Sequence, residues 1–242
     1  MPLTRDEAAG RIMVALDYPD AAGAERLLQE LAGIPCYMKV GMELFYAAGP
    51  AFVARLKEQG YSVFLDVKMH DIPNTVKGGA ASVTRLGVDL FNIHAAGGAA
   101  MMEAALEGAA AASSSGSRPL VIAVTQLTST SQTVLNDEIG IAGSVEAAVL
   151  RYASQAADCG LDGVVASPQE VTAVKEACGA SFLTVTPGIR PAGAALGDQS
   201  RIMTPGQALA QGTDYMVIGR PITAASNPRA ALESILEELV QA

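Results

Sequence analysis

Short aliphatic runs alternate with stretches of helical periodicity from one end of the chain to the other. The runs are 11–17 (RIMVALD), 36–41 (CYMKVG), 61–68 (YSVFLDVK), 88–94 (VDLFNIH), 119–126 (PLVIAVTQ), 162–167 (DGVVAS), 182–187 (FLTVTP) and 214–219 (DYMVIG). Each is rich in β-branched or aliphatic residues and is followed by turn chemistry, which predicts eight strands. Helices are predicted between them, over 20–33, 50–60, 74–86, 98–113, 143–160, 168–178, 204–211 and 227–241. Ala24, Leu27, Leu28 and Leu31 share one face at 3.6-residue spacing. Pro168 and Pro228 fall where a first helical turn tolerates proline.

Eight strand–helix units predict an α/β fold, a single (β/α)8 TIM barrel over residues 1–242. The competing architecture is a doubly wound open sheet. That fold usually has fewer strands and often carries a glycine fingerprint after its first strand. Here the first strand runs into Leu16-Asp17-Tyr18-Pro19 instead. No linker divides the chain, and the Ser-rich stretch 113–117 reads as a short loop.

Composition narrows the picture. The chain has 242 residues, close to the roughly 250 that a barrel of this type needs. Half are hydrophobic, only 17% are charged and tryptophan is absent, so the core must be aliphatic rather than aromatic. A net charge of -9 argues against a nucleic-acid or anionic-membrane partner. Cys36, Cys159 and Cys178 form no CxxC pair and are read as reduced packing residues, which suits the cytoplasm. The N-terminal MPLTRDEAAG lacks the apolar core of a secretion signal. No window approaches the roughly 18 uninterrupted apolar residues of a membrane span.

Charged residues are sparse, yet they gather where a barrel places its active site, at the carboxyl ends of the strands. Strand 1 ends at Asp17 and strand 2 carries Lys39. Strand 3 carries Asp66 and Lys68, with Asp71 just beyond. Side chains alternate along a strand, so Asp66 and Lys68 point the same way, and Asp66 supplies the partner that a buried lysine needs. Taken singly, each group has a bland reading. Asp71 could be a helix-start acid, Asp17 a turn residue, and Lys39 or Lys68 a snorkelling surface cation. Four such groups on three adjacent strand ends make the bland reading the weaker one.

A second cluster reads as a phosphate site. Strand 7 runs into Gly188-Ile189-Arg190-Pro191 and a long Gly/Ala-rich loop to Met203, of a length often used for lids. Strand 8 ends Ile218-Gly219-Arg220-Pro221. Glycine admits close backbone approach, arginine grips phosphate bidentately, and barrels frequently bind phosphate after strands 7 and 8. His70 and His94 are the only histidines and share no ligand spacing, so packing is expected of them rather than metal binding. Gly97-Gly98 reads as a tight turn into a helix.

The run Asp66-Val67-Lys68-Met69-His70-Asp71-Ile72-Pro73-Asn74-Thr75 resembles the DxKxHDIPNT signature of the orotidine 5′-monophosphate decarboxylases. The resemblance extends over the chain. It includes Val14-Ala15-Leu16-Asp17, Lys39-Val40-Gly41, Val124-Thr125-Gln126-Leu127-Thr128-Ser129, Thr186-Pro187-Gly188-Ile189-Arg190-Pro191, Asp198-Gln199 and Ile218-Gly219-Arg220-Pro221-Ile222-Thr223. It implies conversion of orotidine 5′-monophosphate to uridine 5′-monophosphate (UMP) and CO2, the last step of UMP synthesis, with no metal and no organic cofactor. It also implies a homodimer in which each site takes Asp71 from the other chain.

The same resemblance makes Lys68 the proton donor to C6 of the pyrimidine, within a charge network of Lys39, Asp66 and Asp71. Asp17 and Lys39 would contact the ribose, Thr128 the pyrimidine, and Arg190, Gln199, Gly219 and Arg220 the phosphate end, with Thr75 a further substrate contact. Phosphate binding is expected to close the 188–203 loop. Two rivals remain at this point: a magnesium-dependent keto-sugar-phosphate decarboxylase or hexulose-phosphate synthase, and a non-catalytic barrel that binds a phosphorylated metabolite.

Overall fold

Eight aliphatic strands lie side by side in chain order, all parallel, and the eighth closes on the first. They are β1 (Ile12–Ala15), β2 (Tyr37–Gly41), β3 (Ser62–Met69), β4 (Leu90–His94), β5 (Leu120–Val124), β6 (Gly163–Val165), β7 (Leu183–Thr186) and β8 (Tyr215–Ile218). The computed structural model describes residues 2–114, 116–191 and 203–242. The expected (β/α)8 barrel is therefore the fold. Every strand except β3 is shorter than its aliphatic run because ladder pairing ends before the run does; β3 has the length of its run and ends one residue later, at Met69. Asp17, Thr125, Pro187 and Gly219 consequently stand just past their strands, on the rim.

The helices are α1 (Arg5–Gly10), α2 (Ala21–Glu30), α3 (Met42–Glu58), α4 (Pro73–Arg85), α5 (Ala99–Ala112), α6 (Val145–Asp158), α7 (Val171–Cys178), α8 (Pro205–Ala210), α9 (Arg220–Thr223) and α10 (Pro228–Gln241). Their starts are set by side-chain caps. Asp20, Ser144, Thr204 and Asn227 each accept a backbone N–H from the first turn that follows. Pro168 opens a 3-10 turn ahead of α7 and Pro228 opens α10, as their positions predict. Gly98, with a φ of 81°, turns the chain into α5.

Helical periodicity understates three elements. α3 begins at Met42, eight residues ahead of the expected 50, and is interrupted where Gly49 adopts a φ of 70° before Pro50. That break hides the first half of the helix from a periodicity test. α1 is too short to show a period, but Thr4 and Glu7 form a reciprocal capping box that nucleates it. α9 is a single turn after β8.

Apolar side chains divide into two sets. The larger packs between sheet and helices and includes the predicted α2 face, Ala24, Leu27, Leu28 and Leu31. The smaller fills the barrel interior with Met13, Phe64, Leu90, Ile122 and Val185. Four of these come from the odd strands β1, β3, β5 and β7, the layered arrangement in which alternate strands supply one tier.

A repeated ionic device ties the opposite, amino-terminal end together. Asp89, Asp162 and Asp214 precede β4, β6 and β8. Each accepts a backbone N–H from the preceding strand, at Val63, Val121 and Thr184 respectively, at 2.7 Å. Each also pairs with a cation, Lys57, Arg118 or Lys175, at 2.5–2.7 Å. The carboxylate holds two elements at once, so this end is built for stability and leaves the other for chemistry.

Candidate active site

Three adjacent strands repeat one pattern toward the barrel mouth. Residues two apart on a strand share a face, and an inward apolar or aromatic residue is followed by a polar one: Tyr37 then Lys39, Phe64 then Asp66, Leu90 then Asn92. The polar tier thus sits directly on the aliphatic floor, where water is scarce.

Asp17, Lys39, Asp66 and Lys68 form a row of alternating charge. Asp17 Oδ1 is 3.0 Å from Lys39 Nζ, which is 3.4 Å from Asp66 Oδ2, and Asp66 Oδ1 is 2.6 Å from Lys68 Nζ. The Lys39 side chain is only 7% exposed and that of Asp66 14%, whereas Lys68 is 26% exposed. Burial by itself would push the Lys39 ammonium down, but the Asp66 and Asp17 carboxylates outweigh it and raise it above its ordinary value. Burial would likewise raise Asp66. Lys39 and Lys68, with hydrogen bonds from Lys68 and Asn92, hold it below the usual carboxylate range instead. The two most buried members of the row, Lys39 and Asp66, are thus each held toward the charged form by their partners, and Lys68 is the more exposed of the two lysines.

Two adjoining cavities meet at this row and share Asp66, Pro187 and Val217 in their walls. One, of about 320 Å³, is lined by Lys68, Phe64, Val124, Val165, Gln126 and Thr128, so it is apolar-walled with a few directing polar groups. The other, of about 420 Å³, is lined by Asp17, Lys39, Gly188, Arg190, Gly219 and Arg220 and carries the basic character. Arg190 is buried, and its backbone N–H donates to the Met203 carbonyl at 3.0 Å. Arg220 opens α9.

Most residues singled out in the sequence thus converge on one cleft. Asp71 and Thr75 do not. Both lie in an exposed stretch at the start of α4 and line neither cavity. The Asp71 carboxylate accepts its neighbour's N–H, that of Ile72, at 2.6 Å, and no ion pair joins it to Lys68 in the chain. Among the described residues, Asp66 is the one carboxylate paired with Lys68. Gln199, Asp198 and most of the 188–203 loop lie outside the described residues. The two histidines stack near the site with ring centroids 5.4 Å apart, and burial, then His70 and Lys68, push His94 down.

Asn92 was missed. It is fully buried, donates to Asp66 Oδ1 at 2.7 Å and accepts the Lys68 backbone N–H at 2.8 Å. The signal was a lone amide in the middle of the apolar run LFNIH, on the same face as Leu90.

A polar tier above an aliphatic floor, with a two-part cleft at the carboxyl ends of the strands, defines a (β/α)8-barrel enzyme with its site at the barrel mouth. A family model described as "Orotidine 5'-phosphate decarboxylase / HUMPS family" matches residues 10–235, and the chain belongs to that family. It is 52% identical over 239 residues to an orotidine 5'-phosphate decarboxylase of Moorella thermoacetica, covering 98% of this chain and 95% of that protein. It is 51% identical to that of Streptococcus pneumoniae strain ATCC 700669, over 96% of this chain and 97% of that one. A crystal structure of the Lactobacillus acidophilus decarboxylase superposes with a TM-score of 0.85 at 44% identity, covering 94% of this chain and 98% of the other.

Proposed function

We propose that Lys68 is the proton donor through which this chain converts orotidine 5′-monophosphate to UMP and CO2. The decarboxylase activity follows from family membership and from relatives that are about half identical over nearly the whole chain. The family description also spans hexulose-phosphate synthases, but those relatives are named for the nucleotide reaction, which is why the sugar-phosphate alternative is not favoured. The observation that carries the role of Lys68 is its place in the wall of the apolar cavity, paired at 2.6 Å with Asp66, the end of a buried charge row that also borders the adjoining basic cavity.

The chemistry suits that place. Loss of CO2 leaves a negative charge on C6 in the plane of the pyrimidine, where the ring π system delocalises it poorly. The Lys68 ammonium stabilises that charge as it develops and then delivers a proton to C6. Because Asp66 and Lys39 are already fixed, little reorganisation is needed at that moment, which is electrostatic preorganisation. The ring occupies the cavity beside Thr128. The ribose meets Asp17 and Lys39, and the phosphate meets Arg190, Gly219 and Arg220, with Gln199 completing the set; Thr75, which lines neither cavity of its own chain, would contact substrate only from the partner subunit. Neither a metal nor an organic cofactor takes part in the proposal. Enzymes generally lower barriers by about 8–23 kcal/mol, more than one lysine supplies, so binding energy from the phosphate end is also drawn on.

The working unit in this proposal is a homodimer in which the partner subunit's Asp71 completes the network around Lys68. The exposed position of Asp71, away from Lys68 in its own chain, supports that reading. The three free cysteines suit a reducing cytoplasm. No helix among the described residues is long and apolar enough to cross a membrane.

The test follows the absorbance loss of orotidine 5′-monophosphate with EDTA present, for wild type and Lys68→Ala. Metal-independent turnover that nearly vanishes in the variant is expected. Turnover retained by a folded Lys68→Ala protein would remove Lys68 from the chemistry. An inactive wild type would shift the weight to the magnesium-dependent sugar-phosphate reaction.

A further inference from the structure

We infer that Asn92 is the positioning residue that sets the backbone and the charge partner of Lys68. The inference rests on the reading of Lys68 as the reactive cation.

The β3–β4 ladder breaks at this point. Leu65 pairs with Phe91 and Met69 pairs with Ile93. Between those pairs β3 carries Asp66, Val67 and Lys68, while β4 carries Asn92 alone. The bulge deprives β3 of regular ladder partners over the segment that bears the reactive groups. Asn92 replaces them with its side chain. Its Oδ1 accepts the Lys68 N–H at 2.8 Å, and its Nδ2 donates to Asp66 Oδ1 at 2.7 Å.

Lys68 itself has a φ of 51°, the one non-glycine residue among those described with a positive φ. A side chain there is strained, and such a conformation persists only where the surroundings over-determine it. The amide of Asn92 is the group that does so. It is fully buried, seated above Leu90 on the inward face, and its two ends are not interchangeable. Rotating the amide by half a turn would set its NH2 against the Lys68 N–H and its oxygen against the Asp66 carboxylate. One amide therefore fixes the Lys68 backbone, the Asp66 oxygen that Lys68 Nζ meets at 2.6 Å, and the angle between them. Asn92 itself lines neither cavity, so it acts through these two wall residues rather than on the ligand.

The experiment compares wild type, Asn92→Ala, Asn92→Asp and Lys68→Ala, measuring kcat on orotidine 5′-monophosphate and the Kd of UMP by titration. UMP reports the phosphate and ribose contacts without the proton-transfer step. A displacement of about 1 Å in a reacting group can cost on the order of 100-fold in rate. Both Asn92 variants are therefore expected to lose about 100-fold in kcat, with UMP affinity within about threefold of wild type. Asn92→Asp retains the size and the acceptor for Lys68 but sets a second carboxylate against Asp66, so it tests the inference if Asn92→Ala fails to fold. Wild-type kcat in a UMP-binding Asn92→Asp protein would overturn it, as would a loss confined to UMP affinity. Should Lys68→Ala remain active, the reading of Lys68 fails first, and that result is distinct from any shown by the Asn92 variants.

Discussion

Replacing Asp66 by Asn keeps its shape and removes the anion shared by two lysines. With separations of 2.6 and 3.4 Å to Lys68 and Lys39, the gross attractions are about 6 and about 5 kcal/mol at an effective dielectric of about 20. Most of that is offset by the desolvation that all three groups undergo on folding. Breaking a buried pair from one side typically costs about 3–5 kcal/mol. The lower end applies here, because Lys39 keeps Asp17 at 3.0 Å and Lys68 is partly exposed. A loss of about 3 kcal/mol at pH 7 is therefore expected in urea unfolding, with an unchanged m-value.

The pH dependence has a definite sign. The folded-state pKa of Asp66 lies below its ordinary value of 3.8, so its contribution is present above about pH 4 and is lost as the pH falls through the folded value. The gap between wild type and Asp66→Asn should hold from neutrality down to about pH 4 and then shrink. Lys39 is raised above its ordinary 10.5, so its own contribution is fully present below about pH 10.5 and is lost as the pH rises through the folded value. A gap under about 0.5 kcal/mol at pH 7, within the ordinary range for a surface substitution, would refute the reasoning. So would a gap that widens on acidification.

Arg220→Ala should lower kcat/KM roughly 10- to 150-fold, the equivalent of losing about 1.5–3 kcal/mol of charge-assisted hydrogen bonding, while a substrate lacking the phosphate should be nearly indifferent to it. Equal sensitivity of both substrates would place Arg220 elsewhere. Gly163→Ala should destabilise by about 1–3 kcal/mol, because its Cβ would overlap the Leu183 carbonyl oxygen on the neighbouring strand. Calorimetry that finds wild-type stability would show that β6 and β7 part more easily than their pairing suggests. Mixing inactive Asp71→Ala with inactive Lys68→Ala should restore on the order of a quarter of wild-type activity through dimers that hold one intact site. Verified mixed dimers with no recovery would end the shared-site proposal.

Much of the molecule was legible along the chain. The alternation of aliphatic runs with 3.6-residue periodicity carries the eight strand–helix units, because each element must bury a face whose period matches its own geometry. Strand alternation also placed Asp66 and Lys68 on the same face, since that relation spans two residues of one strand. What escaped was the first half of α3, cut short by Gly49-Pro50, and α1, whose single turn leaves no period to read.

Tertiary structure decided everything that depends on register and closure. Asp17, Lys39 and Asp66 are far apart in sequence. They meet because β1, β2 and β3 pair in one stagger that brings their polar tiers to a common height. Asn92 gained its role only when a bulge in β3 left three residues facing it. The Asp89, Asp162 and Asp214 bridges exist only once neighbouring strands and helices have docked. Periodicity records which face of an element a residue occupies; the residue it meets across the ladder is settled when the ring of strands closes.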